Sequence, residues 1–388
     1  MQRPSDRSSV KGVAFVSTMA GSSWGGSEEL WSRAAIELVQ QGVSVSASVH
    51  GWSPPHERIL HLAQAGVRVR SRPVEYALAR RLWRKLAAAH KSSIVIEVGK
   101  FLVDQDPSLV VFSDGGILPP VELLEMCVSK RLKFVTVGQA NLEGWWPDDQ
   151  LADRYRNVMP LARRCFFVSS ANQRLLEKQI GYELANAEVI RNPFNVDRNA
   201  APPWPLKQPE VRLACVARLH PPSKGHDILL EAFSDPVWRP RNWRLTLYGE
   251  GPMRVGIERM VRALSLEDRV VVAGWVTPVE KIWAENHVLV LASRYEGLPL
   301  AMVEAMLCGR PVVATDIAGH SEIVQDGVTG FLAEGPAAPS MKKALERLWD
   351  RREQLEELGK AAAKSIREHV PADPARVFSA KIRDLANG

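Results

Sequence analysis

Short apolar runs alternate with helical apolar stripes along almost the whole chain. In the first half, the stripe over Ser27–Gln40 predicts a helix that ends before Gly42. The apolar runs predict strands over Gly12–Ser17, Val43–Val49, Val67–Arg70, Leu109–Phe112, Phe134–Val137, Cys165–Val168 and Ala187–Ile190. Strands that alternate with helices in this way favour parallel sheets.

The alternation stops at a proline-rich stretch and then restarts. Residues 201–209 contain four prolines, which excludes regular structure and predicts a linker. Beyond it, strands are predicted over Val211–Val216, Arg244–Tyr248, Val270–Ala273, Val288–Leu291 and Pro311–Ala314, and helices over His226–Phe233 and Met253–Leu264. The order predicts an α/β fold of two Rossmann-like parallel-sheet domains facing a central cleft. We expect an N-terminal domain over 1–195, a linker over 196–209, a C-terminal domain over 210–370, and a final helix over 371–388 that could pack back on the first domain.

Two glutamates eight positions apart mark the stretch Ser293–Val313. Glu296 follows an apolar run, which places it on the loop at the carboxyl end of a predicted strand. Glu304 lies in Pro299–Cys308, which predicts a helix with proline at its first position. Ligands of open α/β sheets bind at the carboxyl edge of the strands, so this pair is a candidate binding site.

Two further loops of the second half carry candidate ligand groups. Arg218 and Lys224 precede a helix and can hold a diphosphate, and the alternative is that they are two surface cations. Gly249 and Gly251 follow a strand and permit either close approach of a ligand or an ordinary tight turn. Because Arg254 stands where a third glycine would be needed, this is not a nicotinamide-binding fingerprint.

Two loops of the first half are also candidates. Gly25 and Gly26 join the first strand to the first helix, where backbone amides can face an anion or simply form a flexible loop. Trp145 and Trp146 can stack on an acceptor sugar or anchor their loop in the core.

Composition limits the classes of protein. No apolar run approaches the roughly 18 residues of a membrane span, and the N-terminus lacks the apolar region of a secretory leader, so we expect a cytoplasmic protein. The four cysteines are far apart and predict buried reduced thiols. Asp104 and Asp106 resemble a chelating pair, but they precede a strand and therefore lie at the wrong edge of the sheet for a ligand. No bound metal is expected.

The positive charge is concentrated in the first hundred residues. They hold fourteen Lys or Arg against seven Asp or Glu, which gives +7 in a chain of net charge +6. A predicted amphipathic helix could contact an anionic membrane, or it could be a solvated helix packed on its own sheet. Its basic residues are Arg80, Arg81, Arg84 and Lys85. No nucleic-acid partner is expected, because aromatic residues are not interleaved with these charges.

Taken in chain order, the motifs resemble the retaining GT-B glycosyltransferases of family GT4. The resemblance covers most of the chain and is strongest over residues 210–335. It rests on Gly25-Gly26, the loop from Arg218 to Gly225, Gly249-Glu-Gly251-Pro, Gly274-Trp275, Glu296 with Glu304, and the segment from Gly319 through Glu322 to Gly330. The resemblance implies metal-independent transfer of a sugar, without a cofactor, from a UDP- or GDP-sugar to a hydroxyl of a carbohydrate or lipid-linked acceptor. Such reactions serve glycan, polysaccharide or glycolipid synthesis.

The resemblance also implies roles for individual residues. Glu304 would bind the ribose hydroxyls of the donor. Glu296 would contact the donor sugar together with the amides that follow it, while Arg218 and Lys224 would neutralise the departing diphosphate. The other donor-binding residues would be Gly25, Gly26, Gly249, Gly251, Trp275, Gly297 and Leu298.

Two departures from the family pattern affect the expected site. The usual Glu-Gly-Phe-Gly is Glu296-Gly-Leu-Pro299 here, so one backbone amide is missing. The histidine that the family often carries after the strand Phe134–Val137 is also absent, and Gln139 cannot shuttle a proton in its place. The acceptor-side candidates are Asp114, Gln139, Asn141, Trp145 and Trp146.

Two other functions remain open at this point. A non-catalytic protein of the same fold would bind a nucleotide sugar or a glycan, although the intact Arg218, Lys224, Glu296 and Glu304 argue against it. An epimerase or hydrolase of the same fold would release the nucleotide without any acceptor.

Overall fold

The structure, a computed structural model, describes residues 12–19, 21–73, 87–116, 118–205 and 210–388. Its internal contacts separate an N-terminal unit, Met1–Asn192 with Asp373–Gly388, from a C-terminal unit, Pro193–Ala372. The basic residues Arg80, Arg81, Arg84 and Lys85, and positions 206–209 of the expected linker, lie outside the described residues. Positions 196–205 of that linker are part of the C-terminal unit, where Arg310 Nη2 donates to the Pro203 carbonyl at 2.7 Å.

The N-terminal unit alternates strands with helices, as the sequence predicts. Its described strands are β1 (Val13–Ser17), β2 (Val45–Gly51), β3 (Arg68–Pro73), β4 (Leu109–Asp114), β5 (Phe134–Gly138), β6 (Arg164–Phe167) and β7 (Ala187–Val189). Its described helices before the linker are α1 (Gly26–Gln40), α2 (Glu57–Gln64), α3 (Ala87–Gln105), α4 (Val121–Ser129), α5 (Asp149–Val158) and α6 (Ser170–Ile180).

The described strands of this unit form one parallel sheet in the order β3-β2-β1-β4-β5-β6-β7. The central strand β1 is buried along its whole length, which explains why its sequence is a continuous apolar run rather than an alternating one. The order reverses between β1 and β4. The loops after these two strands are therefore neighbours, and the Thr18 N–H donates to the Ser113 carbonyl at 3.0 Å.

The C-terminal unit repeats the alternation. Its described strands are β8 (Val211–Val216), β9 (Trp243–Tyr248), β10 (Val270–Gly274), β11 (Val288–Leu291), β12 (Val312–Thr315) and β13 (Gly330–Ala333). Its described helices are α7 (Pro221–Lys224), α8 (His226–Ser234), α9 (Arg254–Ala263), α10 (Glu280–Glu285), α11 (Leu300–Leu307), α12 (His320–Ile323), α13 (Ala338–Asp350) and α14 (Leu355–His369).

A second parallel sheet runs through this unit in the order β10-β9-β8-β11-β12-β13. The prediction of an α/β fold with two parallel-sheet domains is confirmed. The strands β8 and β11 have the bounds that the sequence predicts. The strand β13 was not predicted; it is a short edge strand whose residues follow the turn at Gly327. The order reverses between β8 and β11, which makes their carboxyl ends the candidate ligand edge.

The last helix, α15 (Pro374–Asn387), packs within the N-terminal unit. Asp373 caps it by accepting from the Arg376 N–H at 2.9 Å, and Pro374 occupies the favoured first position. Phe378 and Ile382 are fully buried in the same core cluster as residues of α1 and β1. The Phe378 ring meets Phe166 edge-on, with centroids 5.3 Å apart.

A buried polar network joins three strands of the N-terminal sheet to α1. Arg72 on β3 is 4% exposed, and its guanidinium donates to the Ser48 hydroxyl at 2.7 Å and to the Ser17 carbonyl. Glu28 on α1 is 3% exposed. Burial raises the pKa of Glu28 to about 7, with Asp114 acting in the same direction and Arg72 in the opposite one. Burial lowers the pKa of Arg72 to about 10.

We predict that Phe378→Ala destabilises the N-terminal unit by about 3–5 kcal/mol, because it leaves a cavity under α15. Hydrogen exchange of the β1 and β4 amides measures the effect, since these strands are buried in that unit. The matched control is Val377→Ala on the same helix, whose side chain is 36% exposed. Equal effects of the two substitutions would contradict the packing role of Phe378.

A second prediction concerns Glu28. The Glu28 carboxyl binds its proton more tightly in the folded chain than in the unfolded chain. Its contribution to the free energy of unfolding therefore falls as pH rises from 4.5 to about 7. Glu28→Gln removes this dependence. The difference in unfolding free energy between wild type and variant should therefore change across that window and level off above it, as measured by urea unfolding at several pH values. A constant difference would contradict the burial of an ionisable carboxyl. Glu57→Gln on α2 is the exposed control.

Candidate functional site

The carboxyl ends of β8 and β11 lie side by side where the strand order of the C-terminal sheet reverses. The chain after β8 passes through residues 217–220 into α7, and the chain after β11 passes through residues 292–299 into α11. Both connections project from one edge of the sheet, which is the edge that binds ligands in open α/β folds. The first carries Arg218 and Lys224, and the second carries Glu296.

Lys224 is held in place by a short helical turn and a glycine. The turn α7 ends at Lys224, and Gly225 follows with φ of 63°, a conformation that favours glycine. A Cβ at Gly225 would lie 1.8 Å from the Ala292 carbonyl oxygen, so packing also requires glycine here. The turn is thereby pressed against the end of β11, which brings Lys224 to the loop that holds Glu296.

Lys224 and Glu296 form an ion pair between Nζ and Oε1. Their side chains are 22% and 11% exposed, so each charge has lost most of its water and is balanced by the other. The Ser293 hydroxyl donates to the same Glu296 oxygen at 3.0 Å. The Thr315 hydroxyl in turn donates to the Ser293 carbonyl at 2.7 Å, which ties this loop to β12.

Glu304 lies inside α11 and is 3% exposed, as the sequence predicts. Its Oε1 accepts from both the backbone N–H and the side-chain Nδ2 of Asn195, at 2.9 and 3.0 Å. Asn195 was not predicted as a site residue, because its partner is 109 positions away and no local pattern marks it. These two hydrogen bonds fix the orientation of the Glu304 carboxylate.

Gly249 and Gly251 bring a third loop against the Arg218 loop. A Cβ at Gly249 would lie 2.2 Å from the Ala217 carbonyl oxygen, and one at Gly251 would lie 2.5 Å from that of Leu219. The Leu219 N–H donates to the Glu250 carbonyl at 2.9 Å. Both glycines are thus required where backbone packs on backbone, and Arg218 is left exposed on the outer side of this contact.

Trp275 follows β10 at the same edge of the sheet and is 71% exposed. The carbonyl of Gly274 accepts from the Gly249 N–H at 2.8 Å, which fixes the start of its loop. A large exposed aromatic ring on an anchored loop can stack on a planar ligand. Its donor-binding role stays a prediction.

The residues after Glu296 form the start of α11. Leu298 is 4% exposed, and the Gly297 carbonyl accepts from the Gly319 N–H at 3.1 Å. The expected helix start is one position off: α11 begins at Leu300, and Pro299 is the capping residue before it. Proline fits there because a capping residue needs no helical hydrogen bond from its own nitrogen.

Two histidines that the sequence did not indicate as site residues, His220 and His320, lie near the ion pair. His320 is fully buried, and its Nδ1 donates to the Thr315 carbonyl at 2.6 Å. Burial lowers the pKa of His320, and Glu296 opposes this change. Burial also lowers the pKa of His220, with Arg218 and Lys224 acting in the same direction. Both rings are therefore neutral at pH 7 and add no positive charge to these loops.

Asp114 lies at the end of β4, where the order of the N-terminal sheet reverses. Its carboxylate accepts from the Thr18 hydroxyl and from the Gly116 N–H, the latter at 2.6 Å. Burial raises the pKa of Asp114, and these two hydrogen bonds lower it. The carboxylate is thus held firmly at the ligand edge of this sheet. Its acceptor-side role stays a prediction.

The other acceptor-side candidates differ in exposure. Gln139 is buried and accepts from Asn192 Nδ2 at 2.7 Å. Asn141 Nδ2 donates to Gln179 Oε1 at 2.9 Å. The Gln179 amide donates in turn to the Trp145 carbonyl at 2.6 Å, so Asn141 helps to hold this loop. Trp145 packs against the core, whereas Trp146 is 54% exposed. The second tryptophan is thus the more exposed of the two, and the acceptor-side role of both stays a prediction.

Gly25 caps α1 with an extended backbone, at φ of −163°, which any residue adopts. A Cβ there would lie 3.4 Å from Met19 Sδ, an ordinary contact, so the local fold does not require glycine at this position. Gly26 begins the helix. The anion-facing role of this pair stays a prediction.

Asp104 pairs with Arg70 at 2.6 Å, at the amino end of β4. In the described parts of the chain, no group of three His, Cys, Asp or Glu side chains is placed to hold a metal ion. All four cysteines are buried and unbridged, as predicted. Among the described residues, no helix has the length and apolar character needed to cross a membrane.

Part of this chain is similar to a known protein family. The family described as Glycosyl transferases group 1 matches residues 210–351. An alpha-D-kanosaminyltransferase of Streptomyces kanamyceticus is 33% identical over 142 residues, which are 36% of this chain and 37% of that relative. A poly(ribitol-phosphate) alpha-N-acetylglucosaminyltransferase of Staphylococcus aureus is 32% identical over 148 residues, 38% of this chain and 30% of that relative. The matches thus span about a third of each relative.

A solved structure extends the likeness to the whole fold. The protein Alr3699/HepE of Anabaena, in complex with UDP, superposes with a TM-score of 0.71 at 18% identity, over 95% of this chain and 98% of that one. At this identity the likeness concerns the fold alone. Residues 210–351 of the chain are therefore similar to the group 1 glycosyl transferases, and its two Rossmann-like units have the GT-B fold.

Proposed function

We propose that this chain is a retaining glycosyltransferase that moves a sugar from a nucleoside diphosphate sugar to an acceptor hydroxyl. The observation that carries the proposal is the largely buried ion pair of Lys224 and Glu296 at the point where the strand order of the C-terminal sheet reverses. A lysine and a carboxylate at that edge match the two needs of the reaction. The lysine meets a phosphate, and the carboxylate meets sugar hydroxyls.

The diphosphate is the anion that the cations of this edge would bind. Arg218 is exposed on its loop, and Lys224 lies beside Glu296 at the end of α7. Negative charge builds on the diphosphate as its bond to the sugar breaks, and fixed cations stabilise that charge in the transition state. The two side chains supply the charge that a metal ion would otherwise bring, so we propose that transfer needs no metal.

The nucleoside and the sugar would occupy opposite sides of the diphosphate. Glu304, oriented by Asn195, would accept hydrogen bonds from the ribose hydroxyls. Glu296 and the amides of Gly297 and Leu298 would contact the donor sugar, and Trp275 would stack on the base. The Anabaena structure is in complex with UDP, which makes UDP-sugars the first donors to test and GDP-sugars the second.

In the reaction, the bond between the sugar carbon and the diphosphate oxygen breaks, and a bond to the acceptor oxygen forms on the same face. The proton of the acceptor hydroxyl goes to the leaving diphosphate, so no protein side chain has to accept it. Asp114 and Trp146 are the proposed acceptor contacts of the N-terminal unit, where one carboxylate is held at the sheet edge and one ring is exposed. We propose a carbohydrate or lipid-linked acceptor for the reaction.

We predict that Lys224→Ala lowers the transfer rate by about a hundredfold or more, the usual effect of removing a group that stabilises transition-state charge. The measurement is turnover with a panel of UDP- and GDP-sugars and sugar acceptors. Lys342→Ala is the control, because Lys342 pairs with Asp235 elsewhere in the same unit. Near wild-type turnover in Lys224→Ala would remove this residue from the mechanism. Release of free nucleotide without any acceptor would favour a hydrolase or epimerase instead.

We also predict that Glu304→Gln weakens binding of the cognate nucleoside diphosphate by about tenfold. The neutral amide of glutamine accepts hydrogen bonds from the ribose hydroxyls less strongly than the charged carboxylate does. The amide keeps the size of the side chain and an oxygen for Asn195. Calorimetric titration gives the affinity, and Glu258→Gln on α9 is the control. Unchanged affinity would exclude Glu304 from the ribose site.

A further inference from the structure

Arg294 joins the two loops that carry Lys224 and Glu296. It lies two positions before Glu296. Its backbone N–H donates to the Ser223 carbonyl at 2.9 Å, and its Nη1 donates to the Pro221 carbonyl at 2.8 Å. Both acceptors belong to α7, the single turn that ends at Lys224. The backbone and the side chain of one residue thus hold the turn from the Glu296 side.

Arg294 also binds the segment that follows Lys224. Its Nη1 and Nη2 donate to the two carboxylate oxygens of Asp227 at 2.8 and 2.6 Å. The hydrogen bond from Arg294 lowers the pKa of Asp227, and Asp227 raises the pKa of Arg294. Both groups are therefore charged at neutral pH. The contacts of Arg294 fall on both sides of Lys224 and Gly225.

This arrangement does more for position than for stability. The Arg294 and Asp227 side chains are 34% and 31% exposed, and ion pairs of that exposure contribute little to folding. A planar guanidinium that is fixed by two carboxylate oxygens and a carbonyl, however, has one geometry available to it. It sets where the turn stands, and hence where the long flexible side chain of Lys224 can reach.

We propose that Arg294 and Asp227 are positioning residues that hold Lys224 against the phosphate nearest the donor sugar. This inference rests on the proposed function. Lys224 already contacts Glu296, the residue assigned to the sugar, so its ammonium lies on the sugar side of the diphosphate. That phosphate is present in a nucleoside diphosphate and absent from the monophosphate. The contacts of Arg294 with α7 and Asp227, here called the Arg294 clamp, should therefore matter for binding of a nucleoside diphosphate and not for binding of a monophosphate.

Arg294→Lys tests the proposal, since lysine keeps the charge but lacks the planar fork. Calorimetry on the full chain would compare UDP with UMP, and GDP with GMP. We expect affinity for the cognate diphosphate to fall about tenfold, the loss of one charge-assisted contact, while monophosphate affinity stays within about twofold. Lys224→Ala should show the same selectivity. The double variant should bind no more weakly than Lys224→Ala alone. Arg154→Lys is the matched control. Two guanidinium nitrogens of Arg154 donate to the two carboxylate oxygens of Glu125, at 2.8 and 2.6 Å.

Three results would count against the inference, and a fourth against its premise. Equal losses for diphosphate and monophosphate in Arg294→Lys would show a general structural role. Losses that add to those of Lys224→Ala would show an independent one. Affinities equal to wild type would show that the clamp does not position the lysine. If wild-type protein binds no nucleoside diphosphate at all, the proposed function fails, and the positioning role fails with it.

Discussion

The contact on which the C-terminal unit's candidate site depends is the ion pair of Lys224 and Glu296. Each side chain is largely buried, and a buried charge without a partner is costly. The pair is therefore a constraint on the surrounding chain, which must bring the end of α7 to the loop after β11. Gly225 allows that approach, since any side chain there would overlap Ala292. The hydrogen bonds of Ser293, Thr315 and Arg294 then fix the position of the loop after β11.

The same constraint gives the pair its chemical use. In the described structure the lysine and the carboxylate satisfy each other, and a ligand that carries both an anion and hydroxyl groups can replace each partner with its own groups. A nucleoside diphosphate sugar has both. Arg218 stays exposed on its own loop, and His220 and His320 are neutral at pH 7. The two histidine rings therefore add no positive charge to these loops.

The sequence predicted much of this from local patterns. The strands β8 and β11, the loop position of Glu296 and the helical position of Glu304 all follow from apolar runs and turn residues next to them. What it missed depends on residues far apart in the chain. Asn195 reaches Glu304 and Arg294 reaches Asp227 only after folding. For Gly249 and Gly251 the sequence allowed either close approach of a ligand or an ordinary tight turn. The fold shows that they also pack on the Arg218 loop. The short edge strand β13 lacks the long apolar run that marks the central strands.

Hydrogen–deuterium exchange of the full chain, with and without saturating UDP, GDP or ADP, tests the central claim most directly. The account predicts that one diphosphate slows exchange in residues 217–225 and 292–299 and in the segment around Asn195. Its monophosphate should protect the Asn195 segment but leave residues 217–225 close to the unliganded rate. Protection confined to other regions, or no protection at a concentration where calorimetry detects binding, would contradict a diphosphate site built on Lys224 and Glu296.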